Sequence, residues 1–267
     1  MQISQLKLGN VSKWIVSDGE GTREIQGEPY SSITTGSKIS SHDIHDHMPP
    51  LAETNKVIVL AAIYGPKVES DGPGIFLKQP GTYVGHKGNI VFPKTCKSIV
   101  HEAELGVVIG KTAKHINEED ALEYVLGYTC VNDVSAKEMA ESDIGKGLSM
   151  RVKHFDTFCP MGPHIETSVE NPNNLTIECL VNGKVSASGN TSEMIFPVEK
   201  LLCWVSDVMT LNPGDVIATG CPGASEIWPG DRVEVKIQSI GSLENTVVSE
   251  TNIISTLMIS TFLSTRA

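Results

Sequence analysis

No stretch of this 267-residue sequence approaches the roughly 20 consecutive apolar residues of a membrane span. A helical membrane protein is therefore not expected. There is no CxxC pair: Cys96, Cys130, Cys159, Cys179, Cys203 and Cys221 stand singly. That excludes a zinc site built on thiolates and reads as reduced, mostly buried thiols, hence an expected cytoplasmic location. The first residues, MQISQLKLGNVSKW, hold no basic segment followed by an apolar one, so export by that route is not expected. Internal repeats and low-complexity tracts are missing too. Nor is there a basic cluster, with 21 Lys+Arg against 32 Asp+Glu and a formal net charge of −11. Nucleic acid and anionic membranes need a positive face and are excluded as main partners. An anionic small molecule stays open, provided a local cation such as a metal binds it.

What is present describes an ordinary globular protein, 40% hydrophobic and 20% charged. The length suits one large domain with a small appendage. Residues 1–52 begin polar and rich in Ser, Thr and Gly, with short alternating segments such as Ile15–Ser17, and are expected to form a small N-terminal β domain. Residues 53–267 are expected to form the larger one. It opens with the apolar run Val57–Ile63, which reads as a buried strand. Short β segments punctuated by Gly and Pro follow, among them Gly74–Lys78, Ile90–Phe92, Glu102–Ile109, Tyr128–Asn132, Leu175–Val181, Val216–Thr219 and Arg232–Ile237. Two helices stand out. One starts at Asn117 and its first-turn acids, and the other runs from about Pro197 to Met209 with Val198, Leu201, Leu202 and Val205 on one stripe. The sum is a β-rich α+β fold.

The chemistry-bearing residues begin at His101-Glu-Ala-Glu-Leu-Gly-Val-Val-Ile-Gly110. Side chains two apart on a strand share a face, so Glu102 and Glu104 point the same way. Two such acids repel unless a proton or a cation lies between them, although a solvated strand end would also present them. Tyr128-Thr-Cys-Val-Asn-Asp133 is a second apolar strand ending in an acid. A third carboxylate completes an all-oxygen set that suits Mg2+ or Mn2+ better than zinc. Downstream, Lys153 precedes two aromatics and a Pro-x-Gly-Pro turn. It is either a surface residue or the anchor of an anionic substrate beside the metal.

The order HEAELGVVIGK, GYTCVNDVS, KHFDTFCPMGP, LNPGDVIATGCPGAS and PGDRVEVKI resembles the fumarylacetoacetate hydrolase superfamily, over about residues 55–250. Gly74-Ile-Phe-Leu-Lys78 matches that family's strand before its active site. The resemblance implies a mixed β-roll fold, one Mg2+ or Mn2+ per subunit held by Glu102, Glu104 and Asp133, and a homodimer. It also implies a small 2-oxo or 2,4-dioxo acid as substrate. Lys153 becomes a catalytic candidate, and Tyr64, Lys78, Thr219, Gly220 and Cys221 become candidates for substrate binding. C–C bond cleavage, by hydrolysis or decarboxylation, is the leading reaction on this reading. An enol–keto isomerase of a dienoic diacid is the alternative, and so is a metal-binding homologue without catalysis.

The sequence also departs from that pattern. A His–Glu pair activates water on a mobile lid in many members. Here Ile63 replaces the Asn before Tyr64, Lys67 stands where the His would be, and Glu69 is one position out of step. Ala140 stands where some decarboxylases place a Gln, and Cys221 replaces the Thr of a Gly-Thr-Pro turn. His42, His45 and His47 cluster upstream and could supply the missing base, with His45, the central member, the candidate. His101 reads as a neighbour of the metal ligands, and His154 as either a pocket or a packing residue. Cys221 reads as an inert buried thiol more than as a nucleophile.

Overall fold

The segment expected as a strand at Glu102–Ile109 becomes an eleven-residue strand, Ile99–Ile109, buried along almost its whole length, and much of the molecule is assembled against it. A computed structural model describes residues 1–8, 11–31, 33–39, 46–66, 72–143, 146 and 150–251. The N-terminal part forms β1 (Gln2–Leu8), β2 (Val11–Asp18), β3 (Gly21–Gln26), β4 (Thr34–Lys38) and β5 (Asp46–Met48). Then come β6 (Val57–Ala61), β7 (Gly74–Lys78), β8 (Tyr83–Val84), β9 (Asn89–Phe92) and β10 (Ile99–Ile109). The middle contains β11 (Val125–Asn132), β12 (Ser135–Ala136), helices α1 (Lys137–Asp143) and α2 (Met150–Lys153), and β13 (Cys159–Glu166). The rest is β14 (Thr176–Val181), β15 (Lys184–Asn190), α3 (Val198–Val208), β16 (Val216–Ala218), β17 (Ala224–Ile227), β18 (Arg232–Ile237) and β19 (Gly241–Ser249).

One large mixed sheet runs in the order β4-β3-β2-β1-β13-β11-β10-β16-β6-β7, and a smaller one runs β15-β14-β18-β19-β9. β10 pairs antiparallel with β11 and β16 along its inner half, and with β12 and β17 along its outer half. Parallel pairing of β16 with β6 places the Val57–Ala61 run beside them. Between the sheets lies an apolar core that includes Ile58, Leu60, Leu105, Val107, Ile109, Ile177, Val235 and Leu243, with α3 packing Val198, Leu201, Leu202 and Val205 against it. Burying each such side chain contributes about 1.5–3 kcal/mol.

Three details differ from the expectations set by the sequence. The segment after Asn117 is a 3-10 helix, Glu118–Tyr124, and Asn117 makes no side-chain cap bond. Val125 and Leu126, which would have continued a helical stripe, enter β11 instead, where Val125 pairs with Ile109. Two short helices, α1 and α2, had no sequence signature. Finally, β1 pairs with β13 through Gln2–Glu166 and Ile3–Ile165, so the N-terminal strands extend the large sheet. Their Ile3, Val16 and Ile25 share one apolar cluster with Val57, Val59 and Val108.

Candidate active site

The alternation of β10 turns Glu102 and Glu104 to the same face, where both line a cavity of about 140 Å3. Backbone pairing between Ala103 and Asn132 brings the end of β11 alongside, and the Asp133 N–H donates to Glu102 O at 3.0 Å. Asp133 and Lys153 line the same cavity. Its apolar wall comes from β6, the turn after it, and Phe76, and Tyr64, Gly220 and Cys221 complete the lining.

Each acid is held differently. Glu102 accepts from Ser135 Oγ at 3.2 Å and from Lys153 Nζ at 2.9 Å, while its own N–H donates to Asn132 Oδ1 at 3.2 Å. Glu104 is 2% exposed and accepts from the Gly220 N–H at 3.0 Å through Oε2. Among the described residues Oε1 has no hydrogen-bond partner. Burial, together with the negative charge of Asp133 and Glu102, pushes the Glu104 carboxyl well above the usual carboxylate range. For Asp133 burial acts in the same direction, but the ammonium groups of Lys153 and Lys78 outweigh it and hold the carboxyl below its ordinary value. Burial disfavours the Lys153 charge, yet Asp133 and Glu102 raise its pKa, so it stays a cation.

Lys153 reaches this position from α2. Arg151, two residues earlier, grips Asp143 at the end of α1 through Nε at 2.8 Å and Nη2 at 2.9 Å. Gly220 lies in the left-handed region at φ 76°, and an added Cβ would sit 3.0 Å from the Ile63 side chain. Only glycine lets this turn present its N–H to Glu104.

The structure thus brings together Glu102, Glu104, Asp133, Lys153, Tyr64, Gly220 and Cys221 around one cavity. Lys78 is elsewhere. Its side chain is 1% exposed, and its ammonium donates to the carbonyls of Val134, Lys153 and Phe158 at 3.1, 2.9 and 2.9 Å and lies 2.6 Å from Asp133 Oδ1. It braces the site from behind and does not line the cavity. Thr219 is buried, its Oγ1 has no partner among the described residues, and it is also off the lining. His101 is fully buried, and His154 binds Met150 O through Nδ1 at 2.8 Å. His47 lies on β5 with its ring against His86, away from the cavity. His42, His45, Lys67 and Glu69 lie outside the described residues. Ser135, Asn132 and the Asp143–Arg151 pair were not anticipated. The Asn132-Asp133-Val134-Ser135 sequence was the one available signal for the first two.

The donor set fits a divalent cation. Three carboxylates meet at one cavity with a single lining ammonium, Lys153, among the described residues. Oxygen donors of Glu102 and Glu104 and the Cys221 sulfur all lie within 4.8 Å of one another.

A β-rich α+β scaffold thus presents clustered acids and a lysine to one small cavity. The chain belongs to the fumarylacetoacetate (FAA) hydrolase family: the model of that family's C-terminal domain matches residues 55–248. It is 42% identical over 181 residues to the 4-hydroxyphenylacetate degradation bifunctional isomerase/decarboxylase of Salmonella dublin, covering 67% of this chain and 42% of that protein. To the mitochondrial oxaloacetate tautomerase of Bos taurus it is 38% identical over 215 residues, covering 74% of this chain and 68% of that protein. The solved structure of 5-carboxymethyl-2-hydroxymuconate delta-isomerase from Mycobacterium smegmatis superposes with a TM-score of 0.85 at 35% identity, covering 94% of this chain and 100% of that one. Among the described residues no helix is long and apolar enough to cross a membrane.

Proposed function

We propose that the chain is a Mg2+- or Mn2+-dependent enzyme that interconverts the enol and keto forms of a small 2-oxo carboxylic acid, a dicarboxylate in particular. The observation that carries this reading is the meeting of Glu102, Glu104, Asp133 and Lys153 at one cavity. Glu102, Glu104 and Asp133 would hold the cation, which when bound supplies a Lewis acid that draws negative charge from the substrate's keto oxygen.

The chain's own residues do the rest. Lys153, a buried cation beside Glu102, adds positive charge where charge develops on the substrate oxygen. Burial, with Glu104 and Cys221 nearby, raises the Tyr64 pKa and keeps its hydroxyl protonated. Among the described residues that hydroxyl has no partner, so it can donate to a substrate oxygen. The wall from Val59 to Ile63, with Phe76, keeps water from the reacting carbon. Gly220, Ser135 and Lys78 hold the three carboxylates in place before substrate arrives.

Isomerisation is preferred over the C–C cleavage first expected, on two grounds. No histidine is among the described residues lining the cavity, and tautomerisation needs no activated water. The relatives at 35–42% identity named isomerase, and the tautomerase at 38%, support the same choice. Decarboxylation is the second reading, supported by the bifunctional name of the Salmonella protein and by the same charge development on the keto oxygen. A homodimer follows from the family resemblance, and sedimentation checks it.

The test is a substrate panel of oxaloacetate, an acylpyruvate and a 2-hydroxymuconate-type diacid with Mg2+ or Mn2+. Loss of enol absorbance with the carbon skeleton intact is expected. Release of carbon dioxide or of a cleaved acid at the same rate would replace isomerisation by cleavage. Failure to turn over any of them would overturn the enzymatic reading for this substrate class.

A further inference from the structure

We propose that the bidentate Asp143–Arg151 pair is a positioning device for Lys153: it fixes α2 against α1 so that the Lys153 ammonium is held in the cavity between Glu102 and Asp133. This rests on the reading that Lys153 stabilises charge on the substrate. α2 is a single turn of four residues, Met150–Lys153. A helix that short does not hold its own direction in water, so the aim of Lys153 has to be set by contacts outside it. Val152 is buried, and Lys78 Nζ donates to the Lys153 carbonyl at 2.9 Å. These contacts anchor the end of α2 to the core and leave the turn free to pivot about that end.

Arg151 removes the pivot. Its planar guanidinium donates through Nε to Asp143 Oδ2 at 2.8 Å and through Nη2 to Oδ1 at 2.9 Å, and two parallel bonds fix orientation as well as distance. Asp143 is an anchored partner: its side chain is 5% exposed, against 63% for Arg151, and Ser142 Oγ donates to the same Oδ1 at 2.7 Å. The other end of α1 is tied to the strand that carries Glu102. The N–H groups of Lys97 and Ser98, just before β10, donate to the Glu138 carboxylate at 2.6 and 3.2 Å. Ser135, on β12 immediately before α1, donates to Glu102 Oε2 at 3.2 Å. The contacts therefore close a ring, from Glu102 through Ser135, α1, Asp143, Arg151 and Lys153 back to Glu102 at 2.9 Å. A half-exposed ion pair contributes little to stability, so fork geometry two residues from Lys153 is better explained by orientation than by folding energy.

The test compares the parent with Asp143→Asn, Arg151→Met and Arg151→Lys, each alone and in a Lys153→Met background, with folding checked by circular dichroism. One readout is kcat on whichever acid of the substrate panel the parent turns over with Mn2+. The other is the rate at which acetic anhydride labels Lys153, read by peptide mass spectrometry with Lys78 as the internal reference. A misplacement of about 1 Å can cost about 10²-fold, so Asp143→Asn and Arg151→Met are expected to lower kcat at least about tenfold while KM and Mn2+ affinity hold. Arg151→Lys keeps the charge but not the fork and should fall between the parent and Arg151→Met. Lys153 labelling should be faster in the variants while Lys78 labelling holds. In the Lys153→Met background the same changes should cost kcat nothing further, because they act through the missing ammonium. Unchanged kcat or unchanged Lys153 labelling in Asp143→Asn and Arg151→Met overturns the proposal. So does an equal loss of kcat with and without Lys153, since the pair would then act by another route. Failure of the parent to turn over any panel acid overturns the enzymatic reading instead, and the labelling rates then decide the role of the pair by themselves.

Discussion

The ammonium of Lys78 lies 2.6 Å from Asp133 Oδ1, with both side chains 1% exposed. Three backbone carbonyls, those of Val134, Lys153 and Phe158, complete its surroundings. One buried cation therefore ties together the end of β11, the end of α2 and the approach to β13. Removing one member of a buried, hydrogen-bonded ion pair costs about 3–5 kcal/mol where the other charge is left uncompensated. Lys78→Met leaves Asp133 its contact with Lys153, so the free energy of urea unfolding is expected to fall by less than that, about 1–3 kcal/mol. A loss below about 1 kcal/mol would show that Asp133 finds other compensation.

Glu104→Gln tests the cation site without emptying the space. The amide still accepts the Gly220 N–H and no longer has to carry a charge in a buried position beside Asp133 and Glu102. Stability is expected to be unchanged or higher, while Mn2+ affinity falls at least about tenfold and turnover falls with it. Undiminished Mn2+ occupancy and turnover would remove Glu104 from the cation site.

The shared face of Glu102 and Glu104 was legible because strand alternation is a local rule, and Asp133 because an acid ended an apolar strand. The burial of Lys78 was not. Its carbonyl partners lie 56, 75 and 80 residues away, and no local pattern encodes a pocket assembled from three distant turns. For the same reason a 3-10 segment stands where the first-turn acids after Asn117 imply a longer helix, since pairing of Val125 with Ile109 draws the chain into β11. The N-terminal strands look like an appendage in composition. Their pairing with β13 depends on register, which polar Ser- and Thr-rich segments do not announce.

A histidine pair between β5 and the loop before β9 makes stability depend on pH. The rings of His47 and His86 meet edge to face at 5.4 Å. Burial pushes the His86 pKa down to about 4, and His47, Lys87 and His164 add to the effect while Glu234 opposes it. His47 and His164 are lowered as well, chiefly by burial. An unfolded histidine takes up its proton near pH 6.5. As pH falls from about 6.5 towards 4 the unfolded chain gains protons that the folded chain refuses, so stability falls over that window and is full above it. Urea midpoints measured from pH 8 to pH 5 should be flat above about 6.5 and decline below. In His86→Gln the decline should be shallower between pH 6.5 and 5, above the range where carboxylates dominate. Parallel slopes in parent and variant would show that the folded protein accommodates the protonated ring.

Lys153 separates a charge-stabilising role from a structural one. Its ammonium binds Glu102 at 2.9 Å and also pairs with Asp133. Lys153→Met removes a positive charge from the cavity but leaves Asp133 its contact with Lys78. The cation site then becomes more negative, so Mn2+ affinity should hold or rise. If the ammonium stabilises charge developing on the substrate oxygen, kcat should drop about 10²-fold or more, the range for losing one preorganised electrostatic partner. The diagnostic result is this opposition, with tighter or equal metal binding and much slower turnover in a protein that still folds. A joint fall in Mn2+ affinity and kcat would instead make Lys153 a brace for Glu102 and Asp133. Unchanged kinetics would leave it with no part in the reaction, despite its position on the cavity wall.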